Sequence, residues 1–158
     1  MPTATQLRLQ PVESDADWQA ARSIREQVFI DEQDCPPDEE WDGQDARSRH
    51  VIGFVDDEPV ATARWRAVPH GEEVVAKLER FAVLADYRGN GHGTDLVRFV
   101  MDDARRAGFD TLLIHAQEHL EDWYATFGFT STGRTFEEAG IPHVEMIWRE
   151  GEGEGVEG

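Results

Sequence analysis

Read by where its apolar side chains recur, the chain gives strands and helices in turn. LRLQPV (7–12) alternates as a short strand does. SDADWQAARSIREQVFIDEQ (14–33) carries Trp18, Ala21, Ile24 and Val28 at helical spacing, with Ser14 or Asp15 placed to cap the first turn. HVIGFVDD (50–57) and PVATARWRAV (59–68) read as strands joined by a tight turn at Asp57-Glu58, an antiparallel hairpin. VVAKLERFAVL (74–84) is a long strand. Leu96, Val97, Val100, Met101 and Ala104 mark the buried stripe of a helix that Gly108 stops. DTLLIHA (110–116) is a continuous apolar run, the pattern of a strand covered on both faces. EHLEDWYATF (118–127) is a short helix closed by Gly128, and GFTSTGR and HVEMIW (143–148) supply the last strands. This order predicts an α/β fold with a mixed, partly antiparallel central sheet flanked by helices.

At 158 residues and 39% hydrophobic, the chain is long enough for one domain with a real core. That domain is expected to span 1–149, with 150–158 a disordered tail of glycine and glutamate closing on a valine-interrupted repeat. The N-terminal MPTATQLRLQPV has neither the basic nor the apolar part of a signal peptide, and no apolar run reaches the ~18 residues of a membrane span. A cytoplasmic location is the expectation. Cys35 is the single cysteine and sits among acids, which raise a thiol's pKa, so it reads as inert.

Charge changes the picture further. Thirty-three acidic residues against 15 basic ones leave a formal charge of −18, which disfavours nucleic acid and anionic membrane as partners. Lys77 is the only lysine; every other basic residue is arginine. An acidic, lysine-poor surface suits high salt, where screening removes self-repulsion; a GC-rich genome produces the same arginine bias. Thermal melts in rising KCl separate the two. Stability that climbs steeply to molar KCl marks a salt adaptation, whereas a flat profile leaves genome composition as the cause.

One stretch stands out against that charge. DYRGNGHGTDL (86–96) places Gly89, Gly91 and Gly93 at alternate positions behind Arg88 and ahead of the amphipathic helix. Glycines so placed let backbone N–H groups converge on an anion. The spacing departs from the dinucleotide fingerprint, whose third glycine comes three residues after the second. It also lacks the Gly-Lys-Ser/Thr of a Walker loop. What fits is R-x-x-G-x-G, read as Arg88, Gly91 and Gly93 between a strand and a helix. The stretch also reads as an ordinary glycine-rich turn. An acidic protein can still seat a phosphate here, because a few backbone donors, one helix dipole and one arginine act at short range.

The run ERFAVLADYRGNGHGTDLVRFVMDDARRAGFDTLLIHAQ…WYATFGF resembles the GNAT superfamily of acyl-CoA-dependent N-acyltransferases, and EWDGQD, HAQ and GIPH resemble its ElaA-like single-domain branch. The resemblance implies the GNAT fold and acetyl-CoA as co-substrate, with no metal. It places the pyrophosphate on the loop Arg88, Gly89, Asn90, Gly91, His92 and Gly93, and the pantetheine along the backbone of Phe81, Ala82 and Val83. It makes Tyr124, ahead of Gly128-Phe129, the acid that protonates the departing thiolate. Glu79, on the strand with Lys77 and Phe81 on its face, becomes the base, and a backbone N–H near Val83 the oxyanion donor. Glu79 also reads as an ion-pair partner of an arginine, and Tyr124 as a core aromatic.

The implied activity is direct transfer of an acetyl group from acetyl-CoA to a primary amine of a small molecule or peptide. A non-catalytic acyl-CoA sensor is the alternative, and an acyl-homoserine-lactone synthase shares the fold on a longer chain. The acceptor, and whether the chain forms a homodimer, stay open. His143, His50 and His115 read as hydrogen-bonded structural histidines, with a place on the substrate side as the alternative, His143 first among them for its match to the ElaA-like GIPH pattern. The acidic loop 31–45 reads as solvated, or as an amine entrance lined by Glu40, Asp42 or Asp45. Two metal patterns fail. HAQEH (115–119) matches H-x-x-E-H, but its histidines fall on a strand and a helix. The calcium-like loop 38–49 ends on Arg49 where a bidentate glutamate is required.

Overall fold

In the computed structural model, which describes residues 6–138 and 140–151, seven strands form one sheet in the order β1-β2-β3-β4-β5-β7-β6. The strands are β1 (Arg8–Pro11), β2 (Arg49–Val55), β3 (Glu58–His70), β4 (Glu73–Val83), β5 (Thr111–Gln117), β6 (Thr130–Glu138) and β7 (Ile141–Arg149). The helices are α1 (Asp15–Arg25), α2 (Pro37–Glu40), α3 (His92–Arg106) and α4 (Glu121–Ala125). β4 and β5 pair in parallel, while β1–β2, β2–β3, β5–β7 and β6–β7 pair antiparallel, so the sheet is mixed as expected. Residues 152–158 of the expected disordered tail lie outside the described residues. Among the described residues no helix is long and apolar enough to cross a membrane.

The chain divides into two compact units. The first holds the residues up to Trp65 together with Arg80–Val100. Ser14 caps α1 by accepting from the Asp17 N–H, and Asp15 and Asp17 complement the helix dipole. The expected single helix 14–33 changes pitch at Arg25 and runs on as a π-helix over Glu26–Glu32. Gln33 N–H donates to Val28 O at 3.1 Å, a five-residue step. The wider turn puts both Val28 and Phe29 on the side of Ile24, where they pack with Ala82 and Leu84.

The β2–β3 turn lies one residue earlier than the sequence reading has it. Asp56 and Asp57 take left-handed φ of 52° and 70°, and Glu58 is already paired with Val55. Two positive φ angles match the right-handed strand twist, and aspartate tolerates them better than glutamate.

The second unit holds Arg66–Glu79 and the residues from Met101 onward. Its core on one sheet face joins Val68, Val75, Leu113 and Ile147. β5 is buried at Thr111–Ile114, as its apolar run predicts. α4 ends before Gly128, whose φ of 100° and contact with the Trp148 ring leave no room for a Cβ.

Candidate active site

The glycine loop belongs to the first unit. A 3₁₀ turn at Ala85–Tyr87 carries the chain off β4, and α3 begins at His92. Gly89 and Gly91 have φ of 87° and 83°, and a Cβ at either would meet nothing within 4 Å. Their backbone is exposed and opens onto the first turn of α3, whose N–H groups have no carbonyl within the helix. That is the geometry of an anion seat. Arg88 is tied down: its Nε donates to Val83 O at 2.8 Å and its two terminal nitrogens grip Glu32 at 2.6 and 2.8 Å. The hydrogen bond from Arg88 holds the Glu32 carboxyl below its usual range. His92 is 3% exposed, and neither ring nitrogen has a hydrogen-bond partner among the described residues. A ligand on the exposed loop therefore meets its backbone. On the strand expected to carry the pantetheine, Phe81 and Val83 are half-buried and Ala82 packs into the core.

The same unit absorbs the acidic loop. Arg25 is 1% exposed and Arg64 fully buried. Arg25 Nε donates to Glu40 Oε2 at 2.6 Å and its Nη1 to Asp45 Oδ1 at 2.7 Å. Arg64 donates to Asp42 Oδ2 and Asp45 Oδ1, each at 2.8 Å. Arg80 closes the network on Glu40 at 3.0 Å, from a left-handed φ of 61° in β4 that interrupts the strand's alternation between Glu79 and Phe81. Burial works to raise Asp42 and Asp45, but hydrogen bonds and charge from the arginines hold both below the carboxylate range.

Residues 31–34 of the acidic loop are exposed, as the solvated reading has it, whereas Glu40, Asp42 and Asp45 are partners of Arg25, Arg64 and Arg80, an arrangement that occupies the carboxylates of the expected amine entrance. His50 belongs here too. Its Nε2–H donates to Asp45 O at 3.0 Å, its ring packs on Trp18 at 4.7 Å, and burial lowers its pKa. This is a structural tie, the alternative reading of that histidine.

The second unit presents a polar sheet face. Glu79 is 9% exposed on its side chain and takes Arg66 Nε at 2.7 Å and Lys77 Nζ at 3.4 Å. Tyr124, on α4, is 7% exposed among Trp123, Phe127 and Phe129. Burial raises its pKa well above the ordinary phenol, so the hydroxyl keeps its proton. His143 donates from Nδ1 to Ile141 O at 2.7 Å and stacks on Phe136. His115 donates from Nδ1 to Glu138 Oε2 at 3.0 Å, and that bond lowers the Glu138 pKa. His70 and Glu145, at 3.5 Å, and Glu138 are members the sequence reading missed. The period-two polar positions of β7 could have flagged Glu145; Glu138 needed the strand order.

The Acetyltransferase (GNAT) domain family matches residues 20–150, and the chain belongs to that family. Protein ElaA of Escherichia coli is 34% identical over 130 residues, covering 80% of this chain and 84% of its own. The crystal structure of that protein superposes with a TM-score of 0.79 at 28% identity, over 91% of this chain and all of its own. An acyl-CoA N-acyltransferase from Pseudomonas aeruginosa gives 0.80 at 27% identity, covering 90% of this chain and 99% of its own. A Bacillus subtilis acetyltransferase solved in complex with CoA shares the fold alone, at 17% identity and a TM-score of 0.68, over 91% of this chain and 99% of its own.

Proposed function

We propose that the protein is an N-acetyltransferase that moves the acetyl group of acetyl-CoA directly to a primary amine of a small molecule or peptide. The observation that carries this is the exposed glycine loop of a GNAT family chain, with two left-handed glycines open above the first turn of α3. The loop fits a pyrophosphate: Gly89, Asn90, Gly91, His92 and Gly93 supply backbone donors and a helix dipole, while Arg88, its side chain held by Val83 O and Glu32, braces the loop and adds its own backbone N–H. Phe81, Ala82 and Val83 offer backbone to the pantetheine, with the N–H near Val83 as the oxyanion donor. Tyr124, kept protonated by burial, gives its hydrogen to the leaving sulfur. Glu79, read from the sequence as the base, is the carboxylate on the acceptor side, and Arg66 and Lys77 hold it there.

CoA should raise the melting temperature, since a ligand bound only by the folded state stabilises it by RT ln(1 + [L]/Kd). At a hundredfold excess over Kd that is about 2.7 kcal/mol, on the order of 5 °C or more for a chain of this size. Gly91→Val should abolish the shift, because its side chain fills the open space above the loop and strains a φ of 83°. A shift that survives in Gly91→Val places CoA elsewhere. Binding of acetyl-CoA with no transfer to any amine leaves an acyl-CoA-binding module.

A further inference from the structure

Glu79 is held by two cations, Arg66 at 2.7 Å and Lys77 at 3.4 Å, so its oxygens are already engaged. Beside it stands a second group. The β4–β5 ladder pairs Ala76–Leu78 with Leu112–Ile114. Glu79 and His115 are the next residue on each strand, on one face of the sheet. We infer that His115, oriented by Glu138, is the group that takes the proton from the acceptor ammonium, an assignment that rests on the acyl-transfer reading above.

The dyad geometry defines each nitrogen. A carboxylate only accepts, so the 3.0 Å contact with Glu138 Oε2 puts the hydrogen on His115 Nδ1 and leaves the lone pair on Nε2. The Phe136 ring, edge-on at 4.7 Å, fixes the imidazole plane. Nε2 stands 3.9 Å from Glu145 Oε2, beyond hydrogen-bond range. Glu145 is itself occupied by Arg134 Nη1 and Thr132 Oγ1, both at 3.0 Å, with His70 at 3.5 Å. Glu138 also faces Lys77 and, at 3.8 Å, His143. A carboxylate on Nδ1 and another near Nε2 support a charged imidazolium once the proton arrives.

In the step, an ammonium N–H bond breaks, its electron pair stays on nitrogen, and the proton bonds to Nε2. The free amine attacks the thioester carbonyl carbon: a C–N bond forms and the C=O π pair moves to oxygen. As that pair returns, the C–S bond breaks with its pair on sulfur, Tyr124 gives its proton to the thiolate, and the N–H bond that breaks on the adduct nitrogen releases the proton that, by way of solvent, restores the Tyr124 hydroxyl. His115 returns its proton to solvent. Glu138 is a positioning residue, because it acts through the ring.

The test follows thiol release from acetyl-CoA with water alone and with spermidine, glucosamine, lysine and a lysine peptide as probe acceptors. His115→Gln should lower kcat by about 10²-fold while calorimetry shows acetyl-CoA bound as in the parent. Glu138→Gln should move the rising limb of the kcat/KM profile to lower pH, since the imidazolium loses its carboxylate. Glu138 is half-exposed on β6, so this variant carries the test even where His115→Gln fails to fold. Parent-like turnover in His115→Gln, or an unmoved limb in Glu138→Gln, overturns the assignment and leaves the acyl-transfer reading intact. A parent that binds acetyl-CoA but releases thiol with none of the probes overturns both.

Discussion

Tyr124→Phe should lower kcat by about 10²-fold, near the lower end of what general acid help supplies, with acetyl-CoA affinity unchanged. The lower end follows from the hydroxyl's own surroundings. Burial raises the Tyr124 pKa, so the phenol holds its proton at neutral pH but yields it reluctantly. The same dry setting makes a departing thiolate more basic. On the proposed role the two effects offset, leaving the hydroxyl to hydrogen-bond the sulfur and transfer its proton as the C–S bond opens. Phenylalanine keeps the edge contact with Trp123 at 4.9 Å and the packing on Phe129 at 6.3 Å, so the melt of the variant checks that only the hydroxyl has gone. The readout is kcat and acetyl-CoA Kd on parent and variant side by side. A kcat that stays at the parent value once transfer is measurable makes Tyr124 a core aromatic, with water or another donor capping the thiolate.

How far the sequence carries depends on the range of the interactions it encodes. The apolar run TLLIHA and the stripe Leu96 to Ala104 are local signals, and both elements stand where their periodicity puts them. The β2–β3 turn slips by one residue because Asp56, Asp57 and Glu58 are all acidic, and only the left-handed tolerance of aspartate separates them. The π-helical run is less legible still: its cause is the simultaneous packing of Val28 and Phe29 on Ala82, a residue 53 positions beyond Phe29 in the chain.

The site shows the same division. The glycine loop was readable because its backbone geometry is written in adjacent residues. Glu40, Asp42 and Asp45 read as solvent-facing because their cations, Arg25, Arg64 and Arg80, come from α1, β3 and β4. A lone arginine in an apolar strand, such as Arg64 in PVATARWRAV, was the one local hint. His115 and Glu138 meet across β7, which lies between β5 and β6, and no local pattern fixes that strand order.

Replacing Glu40 alone with leucine, or Arg25 alone with methionine, should each cost about 3–5 kcal/mol in urea melts, the largest stability losses expected anywhere in the first unit. The cost is that of the charge left behind. Side chains at 1% and 2% exposure have almost no water to turn to when a partner 2.6 Å away is removed. The double variant removes both charges and should cost clearly less than the sum of the singles, by about 1.5 kcal/mol or more of coupling, where independent sites add within about 0.5. Full recovery is not expected. Arg25 also holds Asp45 at 2.7 Å, and Arg80 also holds Glu40 at 3.0 Å. After the double change Asp45 retains Arg64, and Arg80 retains Asp42, so each remaining charge keeps one partner.

Acid should weaken the aspartate side of this network, while Glu40, whose pKa burial raises, acts with the opposite sign. Asp42 and Asp45 have pKa values below their ordinary range, so their contribution is complete above that range and is lost as pH falls through the folded values. A double variant that melts at the sum of its singles would show that Arg25 and Glu40 act through packing rather than through each other, and a single variant that melts like the parent would show that the charge left behind finds water.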